Sequence, residues 1–309
     1  MKKEIDIICV GEILIDFIGI QENASLSETE SFQRFLGGSP TNVAVNTRRL
    51  GLNSRLVCAV GKDGLGDFIQ QKLKDLNLNT EGVAVRDEFP TSVIFVSKTT
   101  GTPDFIAYRE ADKELVADQL SITLLKQAKL FHTTCFALSK KPAQQTILKA
   151  AKEASELGLQ LSIDVNYSER IWPDRREGLR IIKEYCSYNP LVKISEDDMF
   201  RLFAEHKPHQ EIFDFFHTNG VDLVCLTLGA EGVKLSRKEN HVLILPALKL
   251  DFIADATGAG DAFWSGFLYS YLQNASDEEA AQTALKTAAL KLQYLGSIPE
   301  NIDILAEIS

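Results

Sequence analysis

The chain contains 309 residues, of which 45% are hydrophobic and 25% charged, a balance typical of a folded enzyme-sized protein and not of a disordered one. Acidic side chains outnumber basic ones by 43 to 33, which gives a net charge of −10. Because nucleic-acid-binding proteins usually carry a basic surface, neither nucleic acid nor an anionic membrane is expected as a partner. The apolar run after Met1 is interrupted by acidic residues, so no signal peptide is expected, and no stretch reaches the roughly 20 apolar residues of a membrane helix.

The five cysteines include no CxxC pair, and four of them lie in short apolar runs. This pattern predicts free, buried thiols and a cytoplasmic location.

Strand-like apolar runs alternate with helical patterns along most of the chain. In the first half, strands are predicted at 5–10 and 55–60, a helix at 39–51 with Ser39 as N-cap and Pro40 in its first turn, and a second helix at 67–76. After residue 119 a helix precedes strands at 130–135, 159–165, 191–194 and 222–228, which alternate with helices at 142–157 and 175–185 and with two helices after Ser195. A hairpin at 232–245 and helices at 258–273 and 276–295 complete the chain.

This alternation predicts a mostly parallel sheet covered by helices, in an α/β fold. Two segments, at 15–20 and 81–108, interrupt the rhythm with β-rich sequence. They are expected to form a small sheet that acts as a lid. Since no low-complexity linker divides the chain, residues 1–309 are predicted to form one domain, with the lid drawn from about 15–30 and 81–110.

The segment 255–261 reads DATGAGD and leads into an amphipathic helix. Small residues there let backbone N–H groups approach an anion, and the helix N-terminus favours negative charge. Asp261 follows in the first helical turn, where it can act as a base. The combination suits phosphoryl transfer, in which a carboxylate accepts the proton of a hydroxyl group and amides stabilise the moving phosphoryl group. A tight turn before an ordinary helix would explain the same residues without any function.

A second segment, GGSPTN at 37–42, opens the helix at 39–51. Its glycines permit unusual backbone angles and the close approach of a ligand. Asn42 can both donate to and accept from a hydroxyl group, and Asp16 offers a carboxylate for neighbouring hydroxyls. For Asp16 alone, a solvated strand end is an equally good explanation.

Together, the 37–42 segment with Gly51 and Gly61 and the 255–268 segment resemble the two signature motifs of the ribokinase-like (PfkB) carbohydrate kinase family. The resemblance covers essentially the whole chain. It implies a three-layer Rossmann-type body with a mostly parallel central sheet, a β lid, and transfer of the ATP γ-phosphate to a sugar or nucleoside hydroxyl. It also implies Asp261 as base, Gly258, Ala259 and Gly260 as anion hole, and Asp16, Gly38 and Asn42 as sugar contacts.

On the nucleotide side, TLGAEG at 227–232 resembles the nucleotide loop of the family, and KISEDD at 193–198 its phosphate segment. Both are also explained by ordinary local structure, a hairpin entry and a capped helix. The resemblance implies nucleotide contacts from Lys193, Thr227, Gly229 and Gly232. Neither GxxxxGK[ST] nor a GxGxxG after the first strand occurs, so ATP with Mg²⁺ is expected without a P-loop. The residues matching a monovalent-cation site, and so possible K⁺ ligands, are Asp255 and Thr257.

The substrate is predicted to be a neutral hexose, with fructose preferred. YREAD at 108–112 resembles a segment of fructokinase-type and 2-keto-3-deoxygluconate kinase-type members, where Arg109 would contact substrate from the lid. A solvated charge is an equally good explanation of Arg109. Ser168 stands where keto-acid kinases place an arginine, and Arg170 lies two residues later. The alternatives are a 2-keto-3-deoxygluconate kinase, another sugar or nucleoside kinase of the family, or a non-catalytic sugar or nucleotide sensor.

Two further expectations concern metals and assembly. His206 and His209 form an HxxH pattern, but without further ligands at suitable spacing a zinc site is not expected. An exposed apolar lid is expected to pair with its twin in a homodimer.

Overall fold

The computed structural model describes residues 3–98, 104–238 and 242–308. Within these residues, nine strands form the main sheet. They are β1 (Ile5–Val10), β4 (Ser54–Gly61), β5 (Val83–Arg86), β8 (Ala128–Thr134), β9 (Gln160–Val165), β10 (Pro190–Ser195), β11 (Leu223–Thr227), β12 (Val233–Arg237) and β13 (Leu243–Leu245). Four more form a smaller sheet: β2 (Leu14–Glu22), β3 (Phe32–Gly37), β6 (Val93–Lys98) and β7 (Phe105–Tyr108).

The main sheet has the order β13-β12-β11-β10-β9-β8-β1-β4-β5. All of its pairings from β11 to β5 are parallel, and β12 and β13 continue the sheet in antiparallel pairing. Parallel strands place their carboxyl ends at one edge, which is where open α/β sheets bind ligands. The register sets Lys193 of β10 beside Asp164 of β9, and Ser195 beside Thr227 of β11.

Helices cover both faces of this sheet. The longer ones are α1 (Ser39–Arg49), α2 (Gly64–Asp75), α4 (Ala143–Glu156), α5 (Arg175–Cys186), α6 (Glu196–Phe203), α7 (His209–Thr218), α8 (Ala259–Leu272) and α9 (Asp277–Leu292); α3 (Ile122–Lys126) and α10 (Ile304–Ile308) are short. Alternate residues of β1 separate the two cores. Ile8 and Val10 pack with α4 to α7, whereas Ile7 and Cys9 pack with α1, α2, α8 and α9. The predicted three-layer α/β body is confirmed.

The smaller sheet has the order β3-β2-β6-β7 and corresponds to the predicted lid, whose name it keeps here. Two details differ from the sequence prediction. The segment Val83–Arg86, assigned to the lid, pairs with β4 at the edge of the main sheet, and β3, beyond the predicted lid boundary, belongs to the lid instead. The sequence of a four-residue apolar run does not indicate which sheet the strand joins, because that depends on pairing with strands far away in sequence.

The N-cap of α1 is also different from the prediction. Gly38, and not Ser39, precedes the first helical residue, and no side chain caps this end. The Ser39 hydroxyl instead donates to Asp261 at 2.6 Å. Ser195 does cap α6, in a reciprocal capping box with Asp198.

In the described part of the chain, no helix is long and apolar enough to cross a bilayer. All five cysteines are buried with free thiols.

Candidate active site

Asp261 lies in the first turn of α8, at the carboxyl edge of the main sheet, and is held from two sides by α1. Ser39 Oγ donates to its Oδ1 at 2.6 Å, and Asn42 Nδ2 donates to its Oδ2 at 2.7 Å. Burial raises the pKa of Asp261 to about 6, and the negative charge of Asp164 adds to that effect, while the hydrogen bonds from Ser39 and Asn42 oppose it. The carboxyl group is therefore fixed in position and ionised at neutral pH, as a general base needs to be.

The turn before Asp261 positions backbone donors. Gly258 adopts φ 76°, a left-handed conformation that favours glycine, and it is the N-cap residue of α8. The Ala259 amide donates to the Ala256 carbonyl at 3.1 Å, so of the three expected anion-hole residues Ala259 offers no free amide. In the described part of the chain, no backbone acceptor is bonded to the amides of Gly260 and Asp261, which point out of the helix N-terminus. These two amides are available to an anion.

Asp16, on lid strand β2, belongs to the same group of carboxylates. Burial raises the pKa of Asp16 to about 7, and repulsion from Asp261 and Asp255 contributes to the increase. A Cβ atom at Gly37 would lie 2.6 Å from Asp16 Cγ. Gly37 therefore leaves the space that the Asp16 carboxylate fills.

Glu12 connects the end of β1 to the start of α1 beneath these residues. Its Oε1 accepts from the Ser39 amide at 3.1 Å and its Oε2 from Thr134 Oγ1 at 2.8 Å. Burial raises the pKa of Glu12 to about 8, although the nearby Arg109 charge acts in the opposite direction. Gly38, at φ 103°, passes so close to the Glu12 carbonyl that a Cβ atom would overlap it. The close turn at Gly38 thus places Ser39 and Asn42 against Asp261.

Lys193 is buried between β9 and the N-terminus of α8. Its Nζ lies 3.0 Å from both carboxylate oxygens of Asp164, and 2.8 Å from where a Cβ atom of Gly260 would be. Burial lowers the pKa of this lysine, but the charges of Asp164, Asp198 and Asp261 outweigh it and raise the pKa overall. A stable positive charge therefore lies beneath the free amides of α8.

Asp255 and Thr257, the expected ligands of a monovalent cation, lie in the loop before α8. The Thr257 amide donates to Asp255 Oδ1 at 2.9 Å. The other carboxylate oxygen receives the Gly296 amide at 3.0 Å and Lys291 Nζ at 3.0 Å. Burial opposes ionisation of Asp255, but these donors and the Lys291 charge lower its pKa. The Asp255 carboxylate thus already holds a cation, the ammonium group of Lys291.

The expected nucleotide residues follow β10 and β11 at the same edge. Thr227 ends β11 with its side chain partly exposed, and Gly229 stands at φ 55° with open space around it. Gly232 has a structural reason to be glycine, since it combines φ 102° with a backbone that passes against the Leu245 carbonyl. The structure therefore places Thr227 and Gly229 on an open edge, whereas Gly232 shapes the turn.

Arg109 is buried and already engaged. Its guanidinium group bonds Asp112 Oδ2 through Nε at 2.9 Å and Nη2 at 2.5 Å, and it donates to the Phe136 carbonyl at 3.0 Å and to Ser139. It also covers the ring of Phe136 at 4.1 Å. The interpretation of Arg109 as a solvated charge is therefore wrong. Arg170 is bonded to Asp104 and to the Phe105 carbonyl of the lid.

Sequence reasoning missed three contributors, namely Glu12, Asp164 as the partner of Lys193, and Lys291. Their partners lie at least 27 residues away in sequence, so no local pattern reveals them. The acidic Glu12 directly after a buried strand was the one available signal. In the HxxH pattern, His209 contacts Glu196 and Lys234, and no group of three or more His, Cys, Asp or Glu residues in the described ranges could hold a metal ion.

A fixed carboxylate, free amides and a buried lysine lie together at one edge of the α/β sheet, and this set suits a phosphotransferase acting on an alcohol group. The sequence pattern described as pfkB family carbohydrate kinase matches residues 4–304, so the chain belongs to that family. It is an ATP-dependent sugar kinase, as the resemblance predicted.

Individual relatives agree with this assignment. An ATP-dependent 6-phosphofructokinase of Thermoanaerobacterium thermosaccharolyticum is 33% identical over 303 residues, 98% of this chain and 92% of that protein. The solved fructokinase of Halothermothrix orenii is 37% identical with a TM-score of 0.83 over 92% of this chain and 98% of that chain. An uncharacterized sugar kinase of Pyrococcus horikoshii in complex with ATP is 26% identical with a TM-score of 0.83 over 98% of this chain and 100% of that chain.

Proposed function

We propose that the protein transfers the γ-phosphoryl group of Mg·ATP to the primary hydroxyl of fructose, giving fructose 6-phosphate and ADP. The observation that carries the proposal is the carboxyl group of Asp261, fixed by Ser39 and Asn42 beside the free amides of α8. The hydroxyl oxygen forms a bond to the γ-phosphorus while the bond to the β-phosphate oxygen breaks. The hydroxyl proton moves to Asp261, and the amides of Gly260 and Asp261 stabilise the charge on the transferred group.

The sugar is proposed to lie between the lid and the N-terminus of α1. The Nδ2 of Asn42 is used by Asp261, so its carbonyl oxygen remains to accept from a sugar hydroxyl. Asp16 supplies a second acceptor from the lid, and Gly38 provides the close backbone turn. Arg109, which already bonds Asp112, supports this wall from behind.

A neutral sugar fits this site better than an anionic one. Asp16 and Asp261 line the acceptor side, and the pKa of Asp16 is already raised by burial and by repulsion from neighbouring carboxylates. The three cations around the site are each paired with a carboxylate, in the ion pairs Arg109–Asp112, Lys193–Asp164 and Lys291–Asp255. The negative charge of fructose 6-phosphate or a keto-acid would therefore meet the carboxylates of Asp16 and Asp261, while these three cations are already paired. The relative named 6-phosphofructokinase keeps fructose 6-phosphate as the second candidate.

ATP is proposed to lie along the carboxyl ends of β10 and β11, on Thr227 and Gly229, with its phosphates toward Lys193. Mg²⁺ is proposed to arrive with ATP, held by phosphate oxygens and water, because the described residues contain no cluster of ligands able to hold a metal ion. Lys193, which already pairs with Asp164, would then add positive charge beneath the γ-phosphoryl group.

We also propose a domain organisation, an oligomeric state and a cellular location for the protein. Residues 1–309 form a single kinase domain whose lid sheet closes over the sugar and excludes water. The outer face of the lid pairs with that of a second copy. Five buried free thiols suit a reducing, cytoplasmic compartment.

The test is an ADP-release assay with Mg·ATP over fructose, fructose 6-phosphate, 2-keto-3-deoxygluconate, ribose and adenosine, with products identified by phosphorus NMR. Fructose is expected to give the highest kcat/KM. The D261N variant is expected to lose about 10²–10⁴-fold in kcat, the usual contribution of a general base. In the wild-type enzyme, kcat/KM is expected to fall below about pH 6, since Asp261 must be ionised.

The exposed Asp251, earlier in the same loop, provides the matched control, and D251N is expected to keep wild-type activity. Turnover of fructose 6-phosphate or the keto-acid above fructose would overturn the substrate but keep the kinase. D261N activity within tenfold of wild type would overturn the base. ATP binding without turnover of any sugar would favour the sensor.

A further inference from the structure

The ligand set expected for a free monovalent cation is already occupied by a side chain. Lys291, near the end of α9, is buried with 3% of its surface exposed. Its Nζ donates to the Asp255 carbonyl at 2.8 Å, to Asp255 Oδ2 at 3.0 Å and to the Tyr294 carbonyl at 3.4 Å. An ammonium group has three N–H donors, so these three oxygens use all of them. K⁺ therefore does not fit at Asp255, because it would need the same oxygens and would be repelled by the charge of Lys291.

We propose that the ammonium group of Lys291 is a built-in replacement for a monovalent cation, so that this kinase needs no K⁺. Lys291 is a positioning residue, since it acts on the reaction through the loop before α8. The proposal rests on the sugar kinase activity of the chain and is independent of the choice of fructose.

The path from Lys291 to the reacting group is short. Asp255, which Lys291 neutralises, also accepts the Thr257 amide and so fixes the turn that leads into Gly258. A Cβ atom placed on Gly258 would lie 3.9 Å from Lys291 Cε and 3.9 Å from Asn42 Nδ2. The lysine stem thus packs directly beneath the turn that positions the free amides.

The same ammonium group connects this loop to the segment after α9. Lys291 Nζ donates to the Tyr294 carbonyl at 3.4 Å. The Gly296 amide donates to Asp255 Oδ2 at 3.0 Å. A mobile ion in this place would have to be captured from solution. A lysine is always present, and its ammonium group is paired with the Asp255 carboxylate at 3.0 Å.

The first experiment compares wild-type turnover in buffers whose only added monovalent cation is K⁺, Na⁺ or choline, at constant ionic strength and saturating Mg·ATP. The expected result is a kcat/KM that agrees within about twofold across the three salts. A wild-type enzyme that K⁺ activates about tenfold over choline would overturn the proposal.

Two variants separate charge from volume. K291A opens space beside the oxygens of Asp255 and Tyr294, and in choline it is expected to lose about 10²-fold in kcat, since a small displacement of reacting groups has that effect. Added K⁺ is expected to raise the kcat of K291A about tenfold or more over its value in choline. K291M fills the space without charge, so K⁺ is expected to restore nothing. K286A is the matched control, because among the described residues Lys286 on the same helix donates only to the Ile308 carbonyl, at 2.8 Å.

Thermal unfolding supplies a readout without turnover. Because a ligand that binds only the folded state stabilises it, K⁺ is expected to raise the Tm of K291A by about 2 °C or more over choline, and not that of wild type or K286A. This comparison holds even if no sugar in the assay is phosphorylated, so failure of the substrate proposal is distinguishable. A K⁺-specific rise in the wild-type Tm, or K291A activity and Tm that do not respond to K⁺, would overturn the proposal.

Discussion

At the scale of single residues, the site depends on small residues that make room for charged ones. The missing side chain of Gly37 leaves room for the Asp16 carboxylate. Gly260 lies against Lys193, and Gly258 lies above Lys291. At Gly37 and Gly260 a Cβ atom would come within 3 Å of the charged side chain, whereas at Gly258 it would make ordinary contact with Lys291 at 3.9 Å. The glycines of the two signature segments are therefore needed for packing as well as for the approach of a ligand.

Gly37 offers a direct test of this packing. It does not have a positive φ angle, so G37A introduces no backbone strain, but the new methyl group would overlap Asp16 and the Leu14 side chain. Displacement of Asp16 is expected to lower kcat/KM for the sugar by about 10–100-fold while the KM for ATP changes little. Steady-state kinetics with each substrate varied in turn measures both effects.

The matched control for this variant is G64A. Gly64 begins α2 and lacks a positive φ angle, and no atom of the described residues lies within 4 Å of its Cβ position, so full activity is expected. If G37A retained the wild-type KM for sugar, Asp16 would not be a sugar contact. A lower melting temperature without a change in KM would assign Gly37 to stability alone.

At the scale of helices and strands, the sequence predicted the order of nearly all elements in the body. Caps carried much of this information, since Ser195 and Ser276 stand at the beginnings of α6 and α9 in capping boxes. The sheet assignment of β5 and the cap of α1 were wrong, because strand pairing and the contact of Ser39 with Asp261 depend on residues far away in sequence. The same limit concealed the contact of Lys291 with Asp255.

Alternation along the lid strands gives its two faces different chemistry. Asp16 and Ile94 are paired in register on the face toward Asp261, and the next pair, Phe17 with Phe95, lies on the opposite face. We call this opposite face the outer face, although Phe17 at one end of it packs against the core of the body. The two rings stack at 5.1 Å between centroids, beside Ile106 and Tyr108, which are 47% and 57% exposed. An apolar, aromatic outer face is typical of a surface that contacts another protein.

If this outer face pairs two copies of the chain, a charge placed in it should separate them. Wild-type protein is expected to sediment as a dimer and I106K as a monomer, because the lysine would be buried without a partner. Ile244, 60% exposed on strand β13 of the main sheet, provides the control, and I244K is expected to remain dimeric. A monomeric wild type in sedimentation equilibrium would contradict the proposal, as would an I106K protein with an unchanged mass.

At the scale of the whole molecule, the buried titratable groups change stability in opposite directions as the pH changes. Burial raises the pKa of Glu12 to about 8 and that of Asp16 to about 7, so the folded protein holds protons that the unfolded chain releases above about pH 4.5. Burial lowers the pKa of His132 to about 3. Below about pH 6.5 the histidine therefore binds a proton in the unfolded chain but stays neutral in the folded chain. The first effect reduces stability as the pH rises, and the second reduces it as the pH falls.

These signs predict that the ligand-free protein is most stable at mildly acidic pH. Above about pH 7 the His132 effect is small, and the buried carboxyl groups dominate the change in stability. Between about pH 6.5 and 8, Glu12 alone accounts for a loss of up to about 1.4 kcal/mol per pH unit, because it is protonated in the folded state and ionised in the unfolded state. The free energy of unfolding, measured by chemical denaturation at pH 6, 7 and 8, is expected to decrease steadily.

Replacing Glu12 by glutamine separates its part of this dependence from the rest. E12Q cannot ionise, and its carbonyl oxygen can still accept from the Ser39 amide, so its unfolding free energy is expected to fall less steeply from pH 6 to 8 than that of wild type. D87N serves as the control, because Asp87 is exposed beside Lys62 and should leave the slope unchanged. An E12Q slope equal to the wild-type slope would show that Glu12 is already ionised in the folded protein. In that case the contacts from Ser39 and Thr134, together with the charge of Arg109, would outweigh the effect of burial.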